Sequence, residues 1–221
     1  DRLKKLTDAD SRILSALNLH QIIDFRSAYE KELDPDRLPA ELSSRVIEIP
    51  ILDNSTSLFR GSRNEIIKKI KEIDATRFMT KTYIEFVSRF TPEMQRFINV
   101  LTSSQGQPVL FHCTAGKDRT GFAAAVVLKI LGIPHDLMLE DYLLSNQYFY
   151  SAYRWNLTLL RLLRGKRFAE IVRGFMIVQS AYLSTAFETI DSQYGSFERY
   201  VHNGLGLAKS DIEHMKSLYL E

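Results

Sequence analysis

The sequence predicts an α/β protein with a mainly parallel central sheet flanked by helices and a helix-rich C-terminal half. Three observations predict it. Short runs rich in Ile, Val or Leu, namely His20 to Phe25, Arg45 to Leu52 and Pro108 to His112, end in polar residues and read as strands. Helical patterns lie between them, and strands alternating with helices favour parallel pairing. After Arg119 the apolar residues recur at helical spacing through Thr120 to Leu131, His135 to Tyr150, Asn156 to Leu163 and Phe168 to Ile190, with no strand-like run among them.

Helix starts are marked locally. Ser62 with Glu65 makes a capping box, Thr91 stands as an N-cap before Pro92, and Ser210 with Glu213 opens the last helix after the Gly204 and Gly206 turn. No repeat, low-complexity tract or Gly/Ser/Pro-rich linker interrupts the 221 residues, so one domain is expected over 1–221. The longest mostly apolar stretch, Gly121 to Ile133, is broken by Lys129 and falls short of the roughly 20 residues that span a bilayer. No transmembrane segment is expected. The chain starts at Asp1 without methionine, so a cytoplasmic protein and a secreted one with its leader removed both fit.

Composition narrows the partners. Lys and Arg number 29 against 27 Asp and Glu, a net of +2, which is not the balance of a dedicated nucleic-acid binder. Nucleic acid is therefore not an expected partner, and the chain is expected to be a monomer. The single cysteine, Cys113, excludes an intramolecular disulfide and a zinc site built on two thiolates. His20, His135, His202 and His214 show no ligand spacing, so neither a metal nor a cofactor is expected.

Cys113 stands in the segment that carries chemistry, Val109-Leu110-Phe111-His112-Cys113-Thr114-Ala115-Gly116-Lys117-Asp118-Arg119-Thr120-Gly121. A strand runs into a loop and the loop into a helix. Such a loop turns the backbone N–H groups of Thr114, Ala115, Gly116, Lys117 and Asp118 inward at the positive end of a helix dipole, a cradle for a tetrahedral phosphate. Arg119 adds a planar fork for two phosphate oxygens. A thiol beside a helix start and cations ionises more readily than the usual value near 8.5, so Cys113 is the expected nucleophile. Attack on phosphorus would form a cysteinyl phosphate that water hydrolyses, and the Thr120 hydroxyl is placed to assist the departing sulfur.

The His-Cys-x-x-Gly-x-x-Arg-Thr spacing arises by chance in less than about one chain in ten thousand of this size. It resembles the signature loop of the cysteine-based protein tyrosine phosphatase superfamily, and Ala115-Gly116-Lys117-Asp118-Arg119-Thr120-Gly121 resembles its bacterial tyrosine/serine phosphatase branch. Leu6-Thr7 with Asp10, Ile22-Ile23-Asp24-Phe25-Arg26-Ser27, Asp141-Tyr142 with Ser145-Asn146, and Tyr194-Gly195-Ser196 with Leu205-Gly206-Leu207 resemble weaker motifs of that branch in the same order. The resemblance implies a protein-tyrosine-phosphatase-like fold and hydrolysis of phosphotyrosine, with phosphoserine or phosphothreonine as further substrates. It also implies that an N-terminal stretch usual in the branch is missing here.

The leaving oxygen needs a proton, and two carboxylic acids can supply it. The resemblance places an aspartate at Asp118 inside the loop, while Asp53, just after the strand ending Ile51-Leu52, matches acids that related phosphatases bring on a mobile loop. Lys117 either favours substrates with more than one phosphate, such as phosphoinositide head groups, or merely solvates the loop edge. His112 points away from Cys113 on its strand and reads as a support of the loop. Asp24 and Arg26 sit at a strand end, where Arg26 either pairs with Asp24 or Glu30 or faces the ligand crevice. The basic run Arg161, Arg164, Lys166 and Arg167 reads as a solvated helix end, with anionic substrates or membranes as the alternative. An inactive phospho-binding module would need no nucleophile, and Cys113, Arg119 and Thr120 are all present. The helices from His135 to Ile190 are expected to form a wall or lid over the site.

Overall fold

The computed structural model describes residues 3–52, 58 and 60–220. Its main elements are α1 (Asp8–Ala16), β1 (Gln21–Asp24), α2 (Ala28–Leu33), α3 (Ala40–Ser43), β2 (Val46–Glu48), α4 (Arg63–Glu72), α5 (Ala75–Ser88), α6 (Thr91–Ser103) and β3 (Val109–His112). Helices follow: α7 (Arg119–Leu131), α8 (His135–Arg164), α9 (Lys166–Met176), α10 (Ser180–Tyr194) and α11 (Lys209–Tyr219).

The three described strands form one parallel sheet in the order β2-β1-β3, with Ile22 opposite Val46 and Leu110, and Asp24 opposite Glu48 and His112. Parallel pairing follows from the helical crossovers that separate them. The Arg45 to Leu52 run yields only a three-residue strand, yet pairing persists beyond it. Ile49 N–H donates to Asp24 O at 3.0 Å, Ile51 N–H to Phe25 O at 3.0 Å, and Phe25 N–H to His112 O at 2.9 Å. All three strands therefore run out at the same edge.

Alternation along the strands divides the core. Ile22 and Leu110 pack with Leu14, Leu19 and Leu42 in a small cluster, whereas Ile23, Phe25 and Phe111 join the main core with Cys113. Phe97 of α6 meets Phe25 and Phe111 edge-on, at 5.4 and 5.0 Å between ring centres. On the far side, α10 packs on α5, α9 on α8 and α5, and α7 on α8.

Several helix boundaries differ from the local signals. His135 to Tyr150 and Asn156 to Leu163 fuse into the 30-residue α8, because nothing between them breaks a helix. Phe168 to Ile190 instead splits into α9 and α10. Asn146 makes that break: its side chain takes Val178 N–H at 2.8 Å and donates to Val178 O at 2.9 Å. The Ser62 box forms as expected. Thr91 is already helical rather than the cap, its hydroxyl donating to Val87 O at 2.7 Å. α11 starts at Lys209, with Asp211 taking Ala208 N–H at 2.7 Å in place of a Ser210 and Glu213 box.

Among the described residues, no helix is long and apolar enough to cross a membrane.

Candidate active site

The site is built where the strands end. Cys113 follows β3 directly and is buried, and the chain from Thr114 to Asp118 returns to the N-terminus of α7. Gly116 takes φ +70°, a conformation that L side chains rarely adopt, and this aims its N–H at Cys113 Sγ, 3.2 Å away. Of the expected inward N–H groups, that of Gly116 is the one whose contact with the sulfur is seen among the described residues. Thr120 Oγ1 is buried without a hydrogen-bond partner among the described residues, which leaves it available to a ligand or to sulfur.

Arg119 is buried and tied on several sides. Its Nη1 donates to Phe25 O at 3.2 Å and Ile51 O at 3.4 Å, carbonyls just past β1 and β2. Glu30, on the first turn of α2, accepts from Nη1 at 2.9 Å and from Nη2 at 2.5 Å, and also takes the Thr114 hydroxyl at 2.5 Å. Burial pushes the Glu30 carboxyl up, but the hydrogen bonds and charge of Arg119, with the Thr114 hydroxyl, outweigh it and hold it at about 2. Sequence reasoning missed Glu30. The only local signal was the Ser27 and Glu30 capping box, which fixes α2 at the end of β1.

Asp118 caps α7 without spending its carboxylate on the cap. Instead Oδ2 receives Lys117 Nζ at 2.5 Å and Oδ1 receives the Tyr83 hydroxyl at 3.2 Å. Lys117 is buried, so it does not solvate the loop edge; its ammonium is held against the neighbouring carboxylate. Tyr83 is fully buried on α5, and its hydroxyl lies 2.6 Å from that of Tyr142 on α8. Burial, then the Asp118 charge, pushes both phenols well above their usual range, so both stay protonated donors. Tyr83 was also missed, since an aromatic residue on a helix carries no sequence mark of such a role.

The residues expected as supports lie behind the loop. Arg26 does not reach Glu30 and does not face the ligand cavity. Its Nε and Nη2 donate to Asp24, Nη2 also to Asp36, and Nη1 to Asp34 O at 2.8 Å. His112 shares the Asp24 side of the sheet, with Nε2 3.6 Å from Asp36 and 3.9 Å from Asp24. Burial pushes the His112 ring down and the Asp36 carboxyl up. Asp24, Asp36 and His112 bring potential ligand atoms within 4.8 Å of one another, but Arg26 already pairs with both carboxylates. Asp53 lies outside the described residues.

A cavity of about 580 Å³ opens above Cys113 and Arg119. The loop and Glu30 form its floor, and α8 and α9 contribute Phe149, Tyr153, Val172, Phe175 and Met176 to its wall. Beneath this largely apolar wall, Arg119 and Lys117 stand beside the carboxylates of Glu30 and Asp118.

Comparison with known proteins agrees with this geometry. A family model described as the tyrosine phosphatase family matches residues 1–221. A Cupriavidus necator protein named for tyrosine-protein phosphatase activity is 32% identical over 213 residues, 96% of this chain and 74% of the relative. The triple specificity protein phosphatase PtpB of Mycobacterium tuberculosis is 30% identical over 250 aligned residues, 99% of this chain and 88% of that protein. A tyrosine-protein phosphatase of Nostoc commune is 30% identical over 66% of this chain and 47% of its own length. With a match over its whole length and the cysteine-arginine loop at the sheet edge, the chain belongs to the tyrosine phosphatase family.

Proposed function

We propose that this phosphatase hydrolyses phosphotyrosine, and phosphoserine or phosphothreonine more slowly, through a cysteinyl phosphate on Cys113. The observation that carries the reading is the Gly116 N–H aimed at Cys113 Sγ on the floor of an aromatic-walled cavity, with Arg119 fixed beside it. The thiolate attacks phosphorus while the loop N–H groups and Arg119 hold the three non-bridging oxygens. The P–O bond to the substrate breaks, and Asp118 gives its proton to the leaving oxygen. Water then attacks the phosphocysteine, Asp118 takes a proton back, and sulfur leaves toward the Thr120 hydroxyl. Phosphate is released and the thiolate restored.

Phe149, Tyr153 and Phe175 along the wall favour an aryl phosphate over a short alkyl one. A phosphoinositide reading rests on Lys117, which also lines the cavity, and it requires that ammonium to leave Asp118 for a second phosphate. Phosphoproteins are the expected partners on the first reading and phosphoinositides on the second.

Turnover of p-nitrophenyl phosphate between about pH 5 and about pH 8 tests the proposal. Cys113→Ser should abolish it, and acid quench of the native enzyme should trap phosphate on Cys113. Binding of phosphotyrosine peptides with no turnover at any pH would instead leave an inactive phospho-binding module.

A further inference from the structure

α8 and α9 form a helical hairpin with two unlike faces. The inner face carries Phe149, Tyr153 and Phe175 over the catalytic cavity. The outer face carries Tyr148, Trp155, Leu159 and Leu162, 70%, 72%, 56% and 79% exposed. Their spacing of seven, four and three residues puts them in one stripe along α8. Soluble surfaces rarely leave so many large apolar side chains in line without a partner.

Charge gathers at the same end. From Arg154 to Arg173 the chain holds six cations and one anion, Glu170, a local net of +5, whereas the whole chain carries +2. Everything else is therefore net negative, at −3. A groove of about 540 Å³ between the two helices is lined by Arg154, Trp155, Arg161, Lys166 and Arg173, with Glu170 3.8 Å from Lys166. Arg154 lies over the Trp155 ring at 5.2 Å. Arg164 and Arg167 flank the Gly165 turn, both exposed beside Leu162 and Leu163.

We propose that this outer face and its tip dock on an anionic phospholipid bilayer. Exposed Trp and Leu beside long cationic side chains are what an interfacial surface needs: the rings and methyls enter the acyl boundary while the guanidinium groups stay with the phosphates. A neutral partner would leave a net of five positive charges unmatched, and a second copy stacked tip to tip would bring two charges of +5 together. The proposal is independent of which residue serves as the general acid, because it uses no group of the catalytic loop.

Trp155 is the one tryptophan of the chain, so its emission reports this face directly. Vesicles of phosphatidylcholine with about a third phosphatidylserine should sediment the protein and shift Trp155 emission to the blue; phosphatidylcholine alone should do neither, and about 0.5 M salt should release the protein. Replacing Arg161, Arg164 and Arg167 together by glutamine should weaken partitioning about a hundredfold, at roughly fivefold for each cation near an anionic leaflet. Hydrolysis of p-nitrophenyl phosphate should stay unchanged, which shows that the variant is folded. Equal binding to neutral vesicles, no binding to anionic ones, or a blue shift that appears with self-association in the absence of lipid would each overturn the proposal.

Discussion

Glu30 and Arg119 are joined fork to fork, Oε2 to Nη1 at 2.9 Å and Oε1 to Nη2 at 2.5 Å, across 89 positions of sequence. The pair fixes the direction of the guanidinium, which the proposed mechanism needs for gripping phosphate. Glu30→Gln puts an amide donor against a donor, and kcat/KM should fall by about 10- to 100-fold.

The same pair sets a pH dependence. The Glu30 carboxyl is held at about 2 against an ordinary 4.5, so the folded state gains stability above the ordinary value and loses it as pH falls from about 4.5 toward 2. The gain is on the order of 3 kcal/mol. Urea midpoints at about pH 6 and about pH 3 should drop steeply for the native chain and less for Glu30→Gln. Parallel slopes would place the acid sensitivity elsewhere.

Tyr83→Phe removes the hydroxyl that holds Asp118 Oδ1 and leaves the Tyr142 hydroxyl without its 2.6 Å neighbour. Asp118 can then rotate away from the leaving oxygen. Steady-state kinetics should show kcat about tenfold lower with KM little changed. A change in KM alone would mean that Tyr83 shapes the cavity rather than positions the acid.

The pH profile of kcat/KM separates the two acids. Asp118→Asn should flatten the basic limb, while Asp53→Asn should keep it. The opposite pattern would transfer the role to Asp53.

Gly121 is on the turn of α7 that Tyr142 crosses; a Cβ there would meet the ring at 3.0 and 3.2 Å. The ring has little room to yield, because it is buried and bonded to Tyr83. Gly121→Ala should therefore lower Tm by roughly 2–6 °C despite its better helix propensity, and should reduce kcat as Tyr142 is displaced. A raised Tm would show that the ring yields easily.

What the sequence revealed, and what it hid, divides along one physical line. β1 and β3 and the loop after β3 were legible because apolar runs and the Cys-x5-Arg spacing are local patterns. The break between α9 and α10 was not, since Asn146 imposes it from 32 positions away. Nor was Glu30, whose Oε2 takes both the Ser27 N–H of the capping box and Arg119 Nη1, and whose Oε1 takes Arg119 Nη2. Arg26 pairs with Asp24 as one of its expected alternatives, but its further partner Asp36 sits in a segment without periodic pattern and gave no signal.

The carbonyl bonds of Arg119 bear on the choice of an inactive reference protein. Because the guanidinium fastens the chain after β1 to the chain after β2, an Arg119 variant would loosen the sheet edge as well as the phosphate grip. Lost turnover there could not be credited to lost chemistry. Cys113→Ser leaves those fastenings in place and keeps an acceptor for Gly116, so it is the variant that can serve as a substrate trap.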